Sequence, residues 1–147
     1  MRAVFAGTIA LVYALFSCNT EKFPGPPIEK GYKCFIMQTW DEIKVRDSLI
    51  GKWQLEYVRC SGSTHGSYVT DEKYILEFRP DSTLTATYND SIVYQTTRHI
   101  NPGIERFLLN TDDFVDYTGG DIYLCEDFLI FAESQSDICD NYFRRIE

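Results

Sequence analysis

Two histidines, His65 and His99, are all that this 147-residue chain contains. They stand far apart, so catalysis by histidine has little raw material. His65 lies in the polar run Ser61-Gly62-Ser63-Thr64-His65-Gly66-Ser67, which reads as a rim loop, and His99 reads as a surface residue. Clustered Lys and Arg are missing as well: 14 basic residues face 22 acidic ones for a net charge of -8, which makes nucleic acid a poor partner. No two of the five cysteines form a Cys-x-x-Cys pair, and the spacings from Cys34 through Cys60 and Cys125 to Cys139 are 26, 65 and 14 residues, so a zinc site is not expected. Asp112, Asp113, Asp116 and Asp121 lack the regular spacing and glycine of a calcium loop and read as a solvated acidic turn. No apolar run reaches the ~20 residues of a membrane-crossing helix. We therefore expect no enzyme, no metal and no cofactor. No internal repeat is visible either.

The N-terminus is where the sequence speaks most directly. Arg2 is followed by an apolar stretch of about 14 residues, Ala3 to Phe16, ending in Leu15-Phe16-Ser17-Cys18, which has the form of a secretory signal. It resembles the lipobox of bacterial lipoproteins. That resemblance implies cleavage after residue 17, acylation of Cys18 with palmitate-type chains, and a lipid-anchored protein of the bacterial cell envelope. Asn19 after the lipidated cysteine leans toward the outer membrane. Removal of residues 1–17 takes away only Arg2 and leaves a net charge of -9. Four cysteines then remain, an even number suited to disulfides in an oxidising compartment.

From Asn19 to Lys33 three prolines and two glycines resist regular structure, so residues 18–33 read as a lipidated flexible tether ahead of one domain, 34–147. Thr39-Trp40-Asp41-Glu42 has the form of a capping box and predicts a short helix from about Trp40 to Leu49, with Trp40, Ile43 and Ile50 as its apolar stripe. Alternation then takes over. Trp53, Leu55 and Tyr57 fall on one face of a strand from Lys52 to Arg59, and Tyr74, Leu76 and Phe78 repeat the pattern. Arg79-Pro80-Asp81-Ser82 predicts a tight turn, Leu84, Ala86 and Tyr88 carry the return strand, and Asn89-Asp90 the next turn. Further strands read at Ser91 to Ile100, Arg106 to Asn110, Ile122 to Cys125, Phe128 to Glu133 and Tyr142 to Ile146, with a weaker one at Phe114 to Tyr117. Eight or nine short antiparallel strands after one helix leave a barrel or a sandwich.

Gly51-Lys52-Trp53, set between a helix and the first strand, resembles the opening motif of the lipocalins, and the whole from about Asp47 to Glu147 is similar to the short lipocalin-like domains of bacterial lipoproteins. The resemblance decides for an all-β, antiparallel up-and-down barrel with a short N-terminal helix. It also implies that Gly51 turns the chain into the first strand and that Arg144 or Arg145 lies over Trp53 at one end of the barrel. In such a barrel the end of the first strand meets the start of the last. Cys60–Cys139 and Cys34–Cys125 are then the favoured bridges, with the other two pairings left open. A barrel of this size either fills with side chains or keeps a slot for one small ligand. Tyr57, Phe78, Tyr88, Tyr94 and Tyr123 are the candidate lining residues for a small apolar or amphipathic molecule entering between the 61–70 loop and the 111–121 segment. The rival expectation is an envelope interaction or inhibitor module that docks on a cationic protein or on the cell wall.

Overall fold

The alternation beginning at Gly51 becomes nine antiparallel strands among the described residues: β1 (Gly51–Cys60), β2 (Tyr68–Val69), β3 (Tyr74–Phe78), β4 (Thr83–Tyr88), β5 (Ser91–Pro102), β6 (Phe107–Thr111), β7 (Asp121–Cys125), β8 (Phe128–Ala132) and β9 (Cys139–Arg145). The computed structural model describes residues 28–60, 68–70, 72–103, 106–133 and 139–147. Cys18, the signal segment and His65 lie outside them. Strands β1 and β3 to β9 follow one another around a sheet that closes on itself, because β9 pairs back with β1 from Trp53↔Arg145 to Cys60↔Cys139. The short β2 adds to the far half of β1 through Tyr57↔Val69. This is an up-and-down barrel, the one of the two architectures left open by the strand pattern that the resemblance favours.

Turn chemistry sets the registers. Asn89 and Asp90 both have positive φ, 47° and 65°, the conformation that matches the twist of a two-residue hairpin. At the other tight turn the Asp81 carboxylate accepts from the Thr83 N–H at 3.0 Å, closing the bend that Pro80 begins. One register irregularity matters more: a bulge at Glu56, between Leu55 and Tyr57, moves one residue out of the alternation. Trp53, Leu55 and Val58 therefore point into the main core, while Tyr57 turns outward to join Ile130 and Tyr142. The expectation that Tyr57 shares a face with Trp53 and Leu55 is corrected by that single inserted residue.

Two helices stand before the barrel. Helix α1 (Ile28–Ile36) begins inside the segment 18–33 expected to be tether and takes up its last six residues. Its first residue follows Pro27, where the last proline of the run no longer forbids helix. Helix α2 (Glu42–Leu49) starts later than the capping box suggests: its N-cap is Asp41, whose carboxylate accepts from the Lys44 N–H at 2.7 Å. Its buried residues are Val45 and Leu49, one helical turn apart, whereas Ile43 is exposed. The stripe expected at Trp40, Ile43 and Ile50 is therefore replaced by Val45 and Leu49, which plug the end of the barrel where β1 begins.

That end, the base, is sealed by the residues of the Gly-x-Trp motif. Trp53 is fully buried and its indole N–H donates to Leu49 O at 2.7 Å. The Arg145 guanidinium sits 4.2 Å over the indole ring and donates to Ile50 O at 2.8 Å and to Ser48 O. Indole and guanidinium together satisfy carbonyls left over at the C-terminus of α2, where a positive charge also complements the helix dipole. Gly51 has φ +131°, and a Cβ there would meet Glu147 O at 2.5 Å, so only glycine fits. Arg144 points the other way, pairing with Glu56 at 2.6 Å on the outer wall. Of the two arginines, only Arg145 closes the barrel.

Both disulfides have the favoured pairing, Cys34–Cys125 and Cys60–Cys139. The first ties α1 to the base end of β7. The second joins β1 to β9 at the opposite end, the mouth. The segment 112–120, part of which was expected as a strand, is irregular and folds over that mouth. Val115 and Thr118 are buried, and Tyr117 takes φ 64° to lay its ring against Tyr74 at 5.0 Å.

Candidate binding groove

The five rings singled out by the strand pattern are not brought together. Phe78 is buried in the base core, 5.4 Å from the Arg98 guanidinium. Tyr57 lies on the outer wall. Tyr88, the last residue of β4, reaches the rim and is 36% exposed. Tyr94 packs on the core at the mouth and gives its hydroxyl to Asp116 Oδ2 at 3.2 Å. Tyr123 points out of the barrel beneath α1, with Tyr32 4.4 Å and Phe35 5.3 Å from its ring. Inside, Trp53, Leu55, Leu76, Phe78, Leu84, Leu124, Leu129, Phe131 and Phe143 are almost completely buried, so the described part of the lumen is occupied by side chains.

Space opens elsewhere. Strands β6 and β7 share a single residue pair, Leu108↔Asp121, and diverge toward the base. Helix α1 packs on the outside of β7 beside this seam, held by the Cys34–Cys125 bridge and lying so close to β8 that a Cβ on Gly31 would meet Ile130 Cδ1 and Phe128 Cε2 at 2.7 Å each. Between helix and seam runs a groove of about 690 Å³ lined by Tyr32, Phe35, Ile36, Gln38, Trp40, Gly103, Arg106, Phe107 and Tyr123. Its aromatic wall is ordered by ring contacts. Phe35 stacks on Trp40 at 5.1 Å and meets Phe107 edge-on at 6.5 Å, arrangements that add to the area they bury. The Trp40 indole N–H donates to Phe35 O at 2.8 Å, fixing the ring.

The polar groups at the groove are few. The Arg106 guanidinium is held by Asp121 at 3.0 Å, and Gln38 supplies an amide. Burial, with the nearby carboxylates of Asp140 and Asp121, pushes the Tyr32 and Tyr123 phenols above their usual range, so both present neutral hydroxyls at physiological pH. A flat apolar wall with hydroxyl donors and one cation suits a small amphipathic molecule. Among the described residues no group of His, Cys, Asp and Glu is placed to hold a metal ion. His99 stands at the surface, 3.9 Å from Asp112, and Asp116 and Asp121 are occupied by Tyr94 and Arg106. No helix among the described residues is long and apolar enough to cross a membrane.

Sequence reasoning placed one groove residue, Tyr123, among its candidates and missed the others. Its signal was available in α1: Tyr32, Phe35 and Ile36 recur at helical spacing beside Cys34. Pro24, Pro26 and Pro27 just before them obscure that spacing, because a proline run resists helix. No protein-family model, curated protein or solved structure matches the chain.

Proposed function

We propose that this chain is a lipid-anchored, lipocalin-like protein of the bacterial envelope that binds a small amphipathic molecule without transforming it. The binding place in this reading is the groove outside the barrel wall, and the barrel itself is the scaffold. The observation that carries it is the groove of about 690 Å³ walled by Tyr32, Phe35, Trp40, Phe107 and Tyr123, within the ~300–1,000 Å³ range of small-molecule sites. Anchoring rests on the Leu15-Phe16-Ser17-Cys18 sequence alone. Native mass spectrometry of the protein purified with its lipids tests the reading. A bound small molecule is expected, retained by Tyr88→Ala and Tyr94→Phe and lost in Tyr123→Ala. An empty wild type, or loss confined to the mouth variants, overturns it. A second reading is favoured by charge: residues 51–147 carry 8 basic and 17 acidic side chains, a surface able to steer a cationic protein toward the barrel. Salt-sensitive protein binding by an empty barrel is the outcome that supports it.

A further inference from the structure

Where α1 gives way to α2, large apolar side chains on both helices and in the turn between them stand exposed outside the core. Ile36 is 74%, Met37 86% and Ile43 62% exposed. Ile43 leaves α2 on the side away from Val45, since two residues along a helix rotate the side chain by about 200°. Lys30, Lys33, Lys44 and Arg46 flank these residues, and Lys44 Nζ lies 4.7 Å from the Trp40 ring. Phe114, also exposed, is surrounded in sequence by Asp112, Asp113 and Asp116 and differs in this respect.

Charge separates this elbow from the rest of the molecule. Residues 28–50 carry 4 basic and 4 acidic side chains and are neutral, whereas residues 51–147 carry a net charge of -9. An anionic bilayer repels the barrel and does not repel the elbow. Two of the four carboxylates are already committed, Asp41 to the Lys44 N–H at the α2 N-cap and Asp47 to Arg46 at 3.3 Å. Lys44 Nζ donates to Thr39 O at 3.0 Å, while Lys30 and Lys33 are exposed, and their stems can lie along apolar surface while the ammonium groups stay in water. Covalent length supplies the second constraint. Nine residues separate Cys18 from Ile28, so even a fully extended chain holds the start of α1 within roughly 35 Å of the acylated residue.

We propose that the α1–α2 elbow rests on the surface of an anionic phospholipid bilayer, with Ile36, Met37 and Ile43 entering the interfacial layer and the flanking lysines meeting the headgroups. This rests on the anchored reading of Cys18 given above. Trp40 then sits at the interface, the depth at which indoles are favoured. The groove, which Ile36 and Trp40 also line, opens next to the membrane.

Trp40 and Trp53 are the only tryptophans, one at the elbow and one sealed in the base, so fluorescence reports the docking directly. The full-length protein, purified in detergent, is reconstituted into vesicles of phosphatidylethanolamine and phosphatidylglycerol with brominated acyl chains. The emission attributable to Trp40, taken as the difference from Trp40→Phe, is expected to be mostly quenched while that of Trp53 is unchanged. Met37→Asp with Ile43→Asp restores most of it without releasing the protein from the vesicles, and Trp53 emission in the same sample reports that the barrel stays folded. A protein that floats with the vesicles while its Trp40 stays unquenched overturns the docking and leaves the anchor standing. A protein that does not float overturns both.

Discussion

The two ends of the barrel are closed by different chemistry. At the base, closure comes from stacked apolar matter and from cations that never titrate in the working range: Trp53 under Arg145, Phe78 beside Arg98, and Val45 and Leu49 of α2 driven in from outside. Burial pulls the two guanidiniums down from their usual range, yet arginine stays charged. At the mouth, the described closure is one segment, 112–120, held by Val115 in the core and by Asp116, which accepts the Tyr94 hydroxyl on its carboxylate and the Tyr74 hydroxyl on its carbonyl. Each end also carries one disulfide, and the bridges span similar lengths of chain, 91 residues at the base and 79 at the mouth. A single barrel can thus have one end built as core and the other built as a hydrogen-bonded cover, with different responses to mutation and to pH.

Breaking the bridges is the strongest test of that contrast. In the chain-entropy model each contributes about 4–5 kcal/mol, so Cys34→Ser/Cys125→Ser and Cys60→Ser/Cys139→Ser should lose similar stability in urea unfolding. Their local effects should differ. The mouth bridge ends a ladder in which β1 and β9 are already paired from Trp53↔Arg145 onward, whereas no strand pairing holds α1. Trypsin is expected to cut at Lys30 and Lys33 far faster in the base double variant alone. Equal cutting in both would show that α1 does not depend on its bridge.

Single side chains sharpen the same comparison. Trp53→Ala removes a fully buried indole together with its bond to Leu49 O and should cost about 3–5 kcal/mol. Asp116→Ala at the mouth removes the acceptor of the Tyr94 hydroxyl, which water can replace, and should cost clearly less. Chemical denaturation of the two variants orders them. If Asp116→Ala proves as damaging as Trp53→Ala, the mouth is core rather than cover.

The base was the more legible end, and the reason is physical. Gly51 and Trp53 act within a few residues of each other, and the partners of Trp53 are the end of the helix just before it and the end of the chain, so a local motif specifies a closure. The bridges followed from the same logic, since strand order fixes which ends meet. The outer wall and the mouth were not legible. A single bulge at Glu56 sends Tyr57 to the opposite face, and nothing in Leu55-Glu56-Tyr57 announces it. Phe128–Ala132 reads as a continuous apolar run because both faces of β8 are covered, Leu129 and Phe131 by the barrel core and Ile130 by the outer cluster with Tyr57 and Tyr142. Alternation cannot show that. The groove depends on where α1 lies relative to a seam between β6 and β7, a long-range placement set by Cys34–Cys125 and not by local pattern.

The smallest expected effect separates the ends by proton binding. Burial, and secondarily Asp116, pushes the Tyr74 phenol well above its ordinary value near 10, while in the unfolded chain it titrates near that value. Below pH ~10 both states hold the proton and the stabilising contribution is complete. Above it the unfolded state releases the proton first, so stability falls as pH rises, by about 1.4 kcal/mol at pH 11 for one such group. Tyr142 on the outer wall is shifted in the same direction, again chiefly by burial, and adds its own share. The base has no tyrosine among the groups that close it. Melting curves between pH 8 and 11 should therefore fall less steeply for Tyr74→Phe than for the unaltered chain, while Trp53→Phe, though less stable throughout, should keep the original slope. A slope altered by the base variant and untouched by the mouth variant would reverse the assignment, because it would place the alkaline-sensitive hydroxyls beneath the indole instead of beneath the 112–120 cover.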